Sequence, residues 1–118
     1  MASEGPADVV ERFTSAWTSK DFQTARALLS DGLDFKGPID TFDNADAYMA
    51  AIQRLAEIVN GIETRKLFVD GQDVCVIYDM ITATPAGTVP IAEWHQVRDG
   101  KIARIRVYFD SRPFAPPA

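Results

Sequence analysis

The stretch EWHQVRDGKIARIRVYF, residues 93–109, decides the fold of this chain. Asp99-Gly100 lies between two runs that are rich in β-branched and aromatic residues, and this dipeptide is a strong signal for a two-residue hairpin turn. We therefore expect two antiparallel strands in which Arg98 pairs with Lys101. The register of this hairpin then decides which side chains share a face of the sheet.

An uninterrupted register divides the hairpin into an apolar face and a polar face. The apolar face pairs Ala92 with Val107, Trp94 with Ile105 and Gln96 with Ala103. The polar face pairs Glu93 with Arg106, His95 with Arg104 and Val97 with Ile102. We expect the apolar face to pack against helices, which makes His95 a surface or interface histidine.

Further β-rich runs precede the hairpin strand at residues 65–70 (RKLFVD) and 73–83 (DVCVIYDMITA). Turn residues at Asp70-Gly71 and at 85–87 separate the runs. Ahead of them, apolar residues recur at helical spacing in three segments. These segments run from Pro6 to about residue 19, from a cap at Asp21 to Asp31-Gly32, and from a cap at Asp43 or Asn44 to Gly61.

Helices followed by an antiparallel meander predict an α+β fold, with the helices on one face of a curved sheet. The length suits one domain over residues 1–118. We expect residues 1–5 to be a flexible N-terminus and residues 111–118 to be an irregular tail.

Composition and charge argue against several classes of function. The formal net charge is −5, whereas nucleic acid and anionic membranes are bound by clustered Lys and Arg. No apolar run has the length of a membrane span, and no phosphate-binding or dinucleotide-binding motif is present. One histidine and one cysteine leave no internal disulfide and no multi-histidine or cysteine-based metal site. We expect a cytoplasmic protein without a cofactor or metal.

The run CVIYDMITA, residues 75–83, contains one residue that does not suit the interior of a strand. This residue is Asp79, and an ionised carboxylate is costly to bury without a partner. It is therefore turned to water, held in a structural pair or poised for chemistry. Alternation groups it with Cys75, Ile77 and Ile81, against Val74, Val76, Tyr78 and Met80. The residues alone leave open which group faces the helices.

Two stretches resemble the nuclear transport factor 2-like superfamily, and in particular its SnoaL-like group of polyketide cyclases. They are VVERFTSAWTSKDFQTARALL at residues 9–29 and DGKIARIRVYFD at residues 99–110. The resemblance implies a cone-shaped roll of N-terminal helices on a curved antiparallel (mixed) sheet, a scaffold that carries many activities and many non-enzymes. The groups that ketosteroid isomerases of this superfamily use fall at Phe13, Gly37 and Ala92, so the resemblance implies that their chemistry is absent.

The run DMITATPAG, residues 79–87, is similar to a strand and turn of limonene epoxide hydrolases, which belong to the same superfamily. The resemblance places Asp79 on the central acid of those enzymes and implies that it points into the pocket. The other members of their catalytic set fall at Ile77, Val107, Phe35 and Gly37. Asp79 is then a solitary pocket acid without the partners of an epoxide hydrolase.

Asp79 is therefore the candidate catalytic residue. Burial among apolar side chains would raise its pKa and allow it to act as a general acid or base. A structural role, with a hydrogen bond to the Trp94 indole, a backbone amide or water, is the alternative. The predicted ligand pocket comprises Phe13, Trp17, Phe35, Tyr48, Ile52, Ile77, Trp94, Gln96, Ile105 and Val107, although its aromatic residues could equally be core.

Two functions remain open. The first is binding of a small hydrophobic metabolite with cofactor-free chemistry of the isomerase, cyclase or dehydratase type at Asp79. The second is a non-catalytic ligand-binding or accessory module. In either case the second sheet face is too apolar for a monomer, and we expect a homodimer through it. That predicted face comprises Val74, Val76, Tyr78, Met80, Ile91, His95 and Tyr108 with Glu93, Arg104 and Arg106.

Overall fold

A computed structural model describes residues 5–114. The helices are α1 (Pro6–Thr18), α2 (Phe22–Ala27) and α3 (Ala45–Ala56). The strands are β1 (Leu29–Lys36), β2 (Thr41–Phe42), β3 (Val59–Asp70), β4 (Asp73–Thr82), β5 (Thr88–Arg98) and β6 (Lys101–Tyr108). A short 3₁₀ turn at Arg112–Phe114 follows, and the rest of the predicted tail, like residues 1–4, lies outside the described residues.

The six strands form one mixed sheet in the order β2-β1-β6-β5-β4-β3. β1 runs parallel to β6, and the other neighbouring pairs are antiparallel. The three helices pack on one face of this sheet, and the predicted α+β architecture is confirmed. We call the helix-covered face the inner face and the opposite one the outer face.

Local sequence signals explain where the helices begin. Pro6 occupies the first turn of α1, where its missing N–H has no intrahelical partner to lose. The Asp21 side chain accepts a hydrogen bond from the Thr24 N–H at 3.2 Å, and the Asn44 side chain accepts one from the Ala47 N–H at 2.8 Å. Each cap satisfies a backbone donor that the first helical turn would leave unpaired.

Two of the predicted helix ends are wrong, because residues that were assigned to the helices are already paired in the sheet. α2 ends at Ala27, and Leu29 already pairs with Ile102 of β6. Similarly, α3 ends at Ala56, and Gly61 lies inside β3, paired with Ile81. Backbone pairing across the sheet outweighs the continuing helical pattern at both places.

The predicted two-residue hairpin is confirmed. Asp99 and Gly100 have φ values of 54° and 74°, which are the left-handed conformations that this turn needs. Arg98 pairs with Lys101, and the next pair is Val97 with Ile102. The hairpin is therefore regular for its first two pairs.

Beyond these pairs the predicted register is wrong by one residue. A β-bulge at Ala103 leaves Gln96 opposite Arg104 rather than opposite Ala103. The following pairs are His95 with Ile105, Trp94 with Arg106, Glu93 with Val107 and Ala92 with Tyr108. The bulge lets Ile102 and Ile105, which are three residues apart, both be fully buried. Glu93 and His95 consequently lie on the inner face, and Trp94 lies on the outer face.

The inner face continues on β4, where the sequence left open which alternating set of residues faces the helices. Its buried residues are Val74, Tyr78, Met80 and Thr82. Val76 belongs to the same alternating set, while Asp79 and Ile77 belong to the opposite one. The predicted dimer face is therefore wrong, because most of the residues assigned to it line the core or the cavity.

Candidate functional site

A cavity of about 850 Å³ lies between the helices and the inner face of the sheet. Its buried wall residues are Val10, Trp17, Tyr48, Ile52, Tyr78, Met80, Ile91, Glu93, His95 and Val107. Exposed residues mark its open end: Glu11, Ser15, Thr18, Pro38, Ile39, Asp40, Arg54, Asn60 and Thr64. The wall is apolar and aromatic with a few polar groups, which is the usual composition of a small-molecule site.

Three polar side chains from two neighbouring strands meet in this wall. The Tyr78 hydroxyl donates a hydrogen bond to Oε2 of Glu93 at 2.6 Å. Nε2 of His95 lies 3.1 Å from the other carboxylate oxygen, Oε1. Tyr78 lies on β4, whereas Glu93 and His95 are two residues apart on β5 and therefore on the same face. We call this group the Tyr–Glu–His cluster.

The cluster is almost sealed from solvent. The Glu93 side chain is 12% exposed and the His95 side chain only 2%. Nδ1 of His95 is buried and has no hydrogen-bond partner within residues 5–114. Nε2 lies against the carboxylate, so Nδ1 is the ring nitrogen that is left without a partner.

The cluster shifts the ionisation of its members. Burial raises the pKa of Glu93, but the charge of His95 when protonated and the hydrogen bonds from His95 and Tyr78 lower it, and the net pKa lies below the ordinary value. Burial, followed by the charge of Glu93, raises the pKa of the Tyr78 hydroxyl well above its ordinary value. Glu93 is therefore an anion at neutral pH, and Tyr78 remains a donor.

Aromatic rings stand beside the cluster. Tyr48 of α3 contacts Phe35 at a centroid distance of 4.8 Å and Phe42 at 6.2 Å. Burial, and then the nearby charge of Glu93, raises the pKa of the Tyr48 hydroxyl well above its ordinary value. The carboxylate thus faces a cavity bordered by rings, and its nearest ionisable neighbours are neutral phenols and an imidazole.

The C-terminal segment borders the same cavity. Phe109 and Phe114 both line it and contact each other edge to face at 5.7 Å. Arg112 pairs with Asp110 at 2.7 Å, and its hydrogen bonds lower the pKa of Asp110 to about 2. This pair supports the turn that precedes Phe114, which lines the cavity.

The predicted pocket residues fall into three groups. Trp17, Phe35, Tyr48, Ile52 and Val107 line the cavity. Phe13 and Ile105 are fully buried in the core and do not line it. The placement of Ile77, Trp94 and Gln96 in the pocket is wrong, because the bulge at Ala103 and the parity of β4 put them on the outer face.

The prediction that Asp79 points into the pocket is also wrong. Asp79 lies on the outer face, where Arg65 of β3 donates two hydrogen bonds to its Oδ2, at 2.6 and 2.9 Å. Arg65 also reaches Glu63 at 3.2 Å. The Trp94 indole, offered as a partner of Asp79, instead donates to Asp73 at 2.9 Å. The structural pair foreseen as one alternative for Asp79 is the arrangement present.

Sequence reasoning missed Glu93 and His95 because it took the hairpin as regular. The signal that could have found them is the spacing of Ile102, Ile105 and Val107. Strict alternation cannot bury all three, and a bulge between the first two resolves the conflict. With the bulge included, Glu93 and His95 fall on the helix-facing side.

The comparisons with known proteins agree with this fold. The SnoaL-like domain profile matches residues 10–105, and the chain belongs to the SnoaL-like family. No functionally curated protein matches the chain. Within residues 5–114, no helix is long and apolar enough to cross a membrane, and no group of three or more His, Cys, Asp or Glu side chains is placed to hold a metal ion.

Three solved structures show the range of similar proteins. A protein from Kribbella flavida is 33% identical, with a TM-score of 0.84 over 91% of this chain and 88% of that one. An NTF2-like protein from Cytophaga hutchinsonii is 26% identical, with a TM-score of 0.82 over 97% and 98%. An LEH-like epoxide hydrolase from M. tuberculosis is 23% identical, with a TM-score of 0.76 over 89% and 82%, a likeness of fold.

Proposed function

We propose that this protein binds a small, largely apolar molecule in its inner cavity and that Glu93 anchors the ligand. One observation carries the proposal: the Glu93 side chain, held by Tyr78 and His95 and 12% exposed, lines a largely apolar cavity of about 850 Å³. A charge in such surroundings is costly to maintain without a use. Family membership supports a pocket of this kind, since similar folds include a hydrolase.

Binding can be tested with N-phenyl-1-naphthylamine, a neutral dye that fluoresces in apolar surroundings. We expect saturable binding to the wild-type protein. Ala51 lines the cavity and Ala50, its neighbour on α3, is exposed and does not. Ala51→Trp should weaken binding about tenfold or more, while Ala50→Trp should leave it unchanged. No binding, or equal effects of the two substitutions, would refute the proposal.

A reaction at the same site is the second candidate. The observation in its favour is that the Glu93 carboxylate contacts both a phenol and an imidazole. If Glu93 takes up a proton, its hydrogen bonds to Tyr78 and His95 can rearrange to accommodate it. The chemistry would be cofactor-free isomerisation, cyclisation or dehydration. The lowered pKa of Glu93 makes it a weaker base than an ordinary glutamate, which is why binding stands first.

The reaction can be tested once native mass spectrometry of the protein purified from its host has identified a bound molecule. Incubating that molecule with protein in D₂O should exchange its acidic C–H if Glu93 takes up a proton. Glu93→Gln should abolish the exchange and Asp79→Asn should preserve it. Loss of exchange in Asp79→Asn alone would mean that Asp79, rather than Glu93, takes up the proton. Binding without exchange would leave a non-catalytic ligand-binding module.

We also propose that two copies pair through the outer face. Two adjacent rows cross its strands, Phe68–Cys75–Trp94–Arg106 and Lys66–Ile77–Ala92–Tyr108. Phe68, Trp94 and Tyr108 are 53%, 38% and 58% exposed, and contiguous exposed apolar surface of this kind marks interaction sites. The free thiol Cys75 in this patch fits a reducing compartment, and we propose the cytoplasm.

Light scattering tests the pairing. We expect a dimer at micromolar concentration, and Trp94→Lys should shift it to a monomer. Ile39→Lys is the control, because Ile39 is 57% exposed but borders the cavity rather than the outer face. A monomeric wild-type protein would refute this proposal and leave the cavity proposal untouched.

A further inference from the structure

The group that a ligand meets at the Tyr–Glu–His cluster is the carboxylate. Glu93 keeps six times the exposed fraction of His95, 12% against 2%, and Nδ1 of His95 is sealed. A carboxylate offers about four acceptor positions, and Tyr78 and His95 occupy one on each oxygen. Acceptor positions therefore remain free, while the Tyr78 proton and the Nε2 proton of His95 are both engaged.

The charge of that carboxylate is not balanced by Lys or Arg. Within residues 5–114, the ion pairs of the basic side chains go to other acids, and Glu93 pairs with His95 alone. At the open end, Glu11 and Asp40 outnumber Arg54. With Glu93, the acids that line the cavity outnumber its Lys and Arg, an excess that favours a cation over an anion.

Aromatic rings that line the same cavity as Glu93 fit the same preference. Phe35, Phe42 and Tyr48 form a contiguous group with centroid distances between 4.8 and 6.2 Å. All three line the cavity, and the charge of Glu93 reaches the Tyr48 hydroxyl. Aromatic faces attract cations within about 6 Å of the ring centroid, and more strongly where water is excluded.

We infer that the ligand carries a basic nitrogen, protonated at neutral pH, which donates hydrogen bonds to Glu93 while its carbon skeleton lies against the rings of Phe35, Phe42 and Tyr48. This inference rests on the proposed function, since it names the ligand class of the same cavity. A neutral donor can occupy the same place but lacks the charge.

Three probes that share one ring system test the inference: naphthalen-2-ylmethylamine, naphthalen-2-ylmethanol and 2-naphthoate. They are cationic, neutral and anionic at neutral pH, and each is titrated as a competitor of N-phenyl-1-naphthylamine. We expect the amine to bind about tenfold more tightly than the alcohol, because both donate to the ionised carboxylate but only the amine carries a positive charge. The naphthoate should bind most weakly.

Two substitutions that change the net charge equally separate the site from the rest of the protein. Glu93→Gln should bring the amine-to-alcohol ratio to about one. Asp79→Asn removes a carboxylate from the outer face and should keep the wild-type ratio. An unchanged ratio in Glu93→Gln, or a lost ratio in Asp79→Asn, overturns the inference.

If Glu93→Gln does not fold, the three probes measured on the wild-type protein alone still test the inference. Tightest binding of the naphthoate, or equal binding of amine and alcohol, overturns the inference because it means that no net negative charge faces the ligand. In those cases the dye still binds and the proposed function stands. If the dye does not bind, the proposed function itself fails.

Discussion

Glu93 and Asp79 are acids in the middle of neighbouring strands, and they lie on opposite faces of the same sheet. The outer acid is paired with Arg65, whose side chain is 58% exposed. The inner acid is held by a phenol and an imidazole that are both buried. Water and salt screen the outer pair but hardly reach the inner cluster. The same residue chemistry therefore has structural consequences on one face and potential for function on the other.

The largest expected effect on stability comes from a comparison of two isoleucine substitutions, one on each face. Ile105 is fully buried beneath the helices, whereas Ile77 is half-buried on the outer face. Ile105→Ala should lower the free energy of unfolding by about 3–4 kcal/mol, because it opens a cavity in the core. Ile77→Ala should lower it by less than half as much. Denaturant unfolding at low protein concentration checks this, and equal losses would contradict the assignment of the faces.

The second comparison removes each acid. Glu93→Ala should lower the free energy of unfolding by about 2–4 kcal/mol, because it leaves the Tyr78 hydroxyl and the His95 Nε2–H without their charged acceptor. Asp79→Ala should have an effect within the ordinary scatter of surface substitutions. Thermal and denaturant unfolding of both variants measure the difference. A larger loss in Asp79→Ala would show that the outer pair carries more stability than the inner cluster.

The sequence predicted the fold because its signals are local. Asp99-Gly100 needs left-handed backbone that few other residues adopt, and Asn44 caps α3 with its own side chain. Each signal acts within a few residues and does not depend on the rest of the chain. The order of elements follows from such signals together with the apolar periodicity.

The sequence did not predict the site, because the site depends on which alternating set of strand residues faces the helices, and pairing between strands decides this. One bulged residue, Ala103, shifts the pairing by one, so that the β5 residues beyond it face the opposite side from the one that a regular register predicts. On β4 both alternating sets are apolar apart from Asp79, so periodicity cannot choose between them. The resemblance to epoxide hydrolases placed Asp79 by sequence position, but facing depends on the register that this chain adopts. Placement of Glu93 required the bulged register between β5 and β6.

The third comparison uses pH. The pKa of Glu93 is lowered in the folded protein from an ordinary value of 4.5, so its stabilising contribution is present above that value and is lost as the pH falls through the lower folded value. Tyr78 and Tyr48 face Glu93 from β4 and α3, and His95 lies beside it. The stability advantage of the wild-type protein over Glu93→Gln should therefore shrink below about pH 4.5.

Unfolding free energies of both proteins between neutral pH and the acid limit of folding measure that change. Asp79→Asn serves as the matched control, because it removes a carboxylate from the outer face. An advantage over Glu93→Gln that grows as the pH falls would mean that Glu93 is protonated in the folded protein, and it would remove the negative charge on which the ligand class rests.

The smallest effect, and the sharpest separation of the two faces, comes from salt. Tyr78→Phe removes one buried hydrogen bond to Glu93 and should lower the free energy of unfolding by about 1–2 kcal/mol, since the acceptor is charged. Arg65→Gln breaks the outer ion pair and should produce only a small loss at low ionic strength. At 1 M salt the Debye length is about 3 Å, so the Arg65 effect should vanish. The Tyr78 effect should remain, because the hydrogen bond that it removes has a neutral donor and joins two buried residues. If both losses fade together in salt, the Tyr78–Glu93 hydrogen bond is as accessible to ions as the Arg65–Asp79 pair, and the burial that distinguishes the inner cluster is not present in solution.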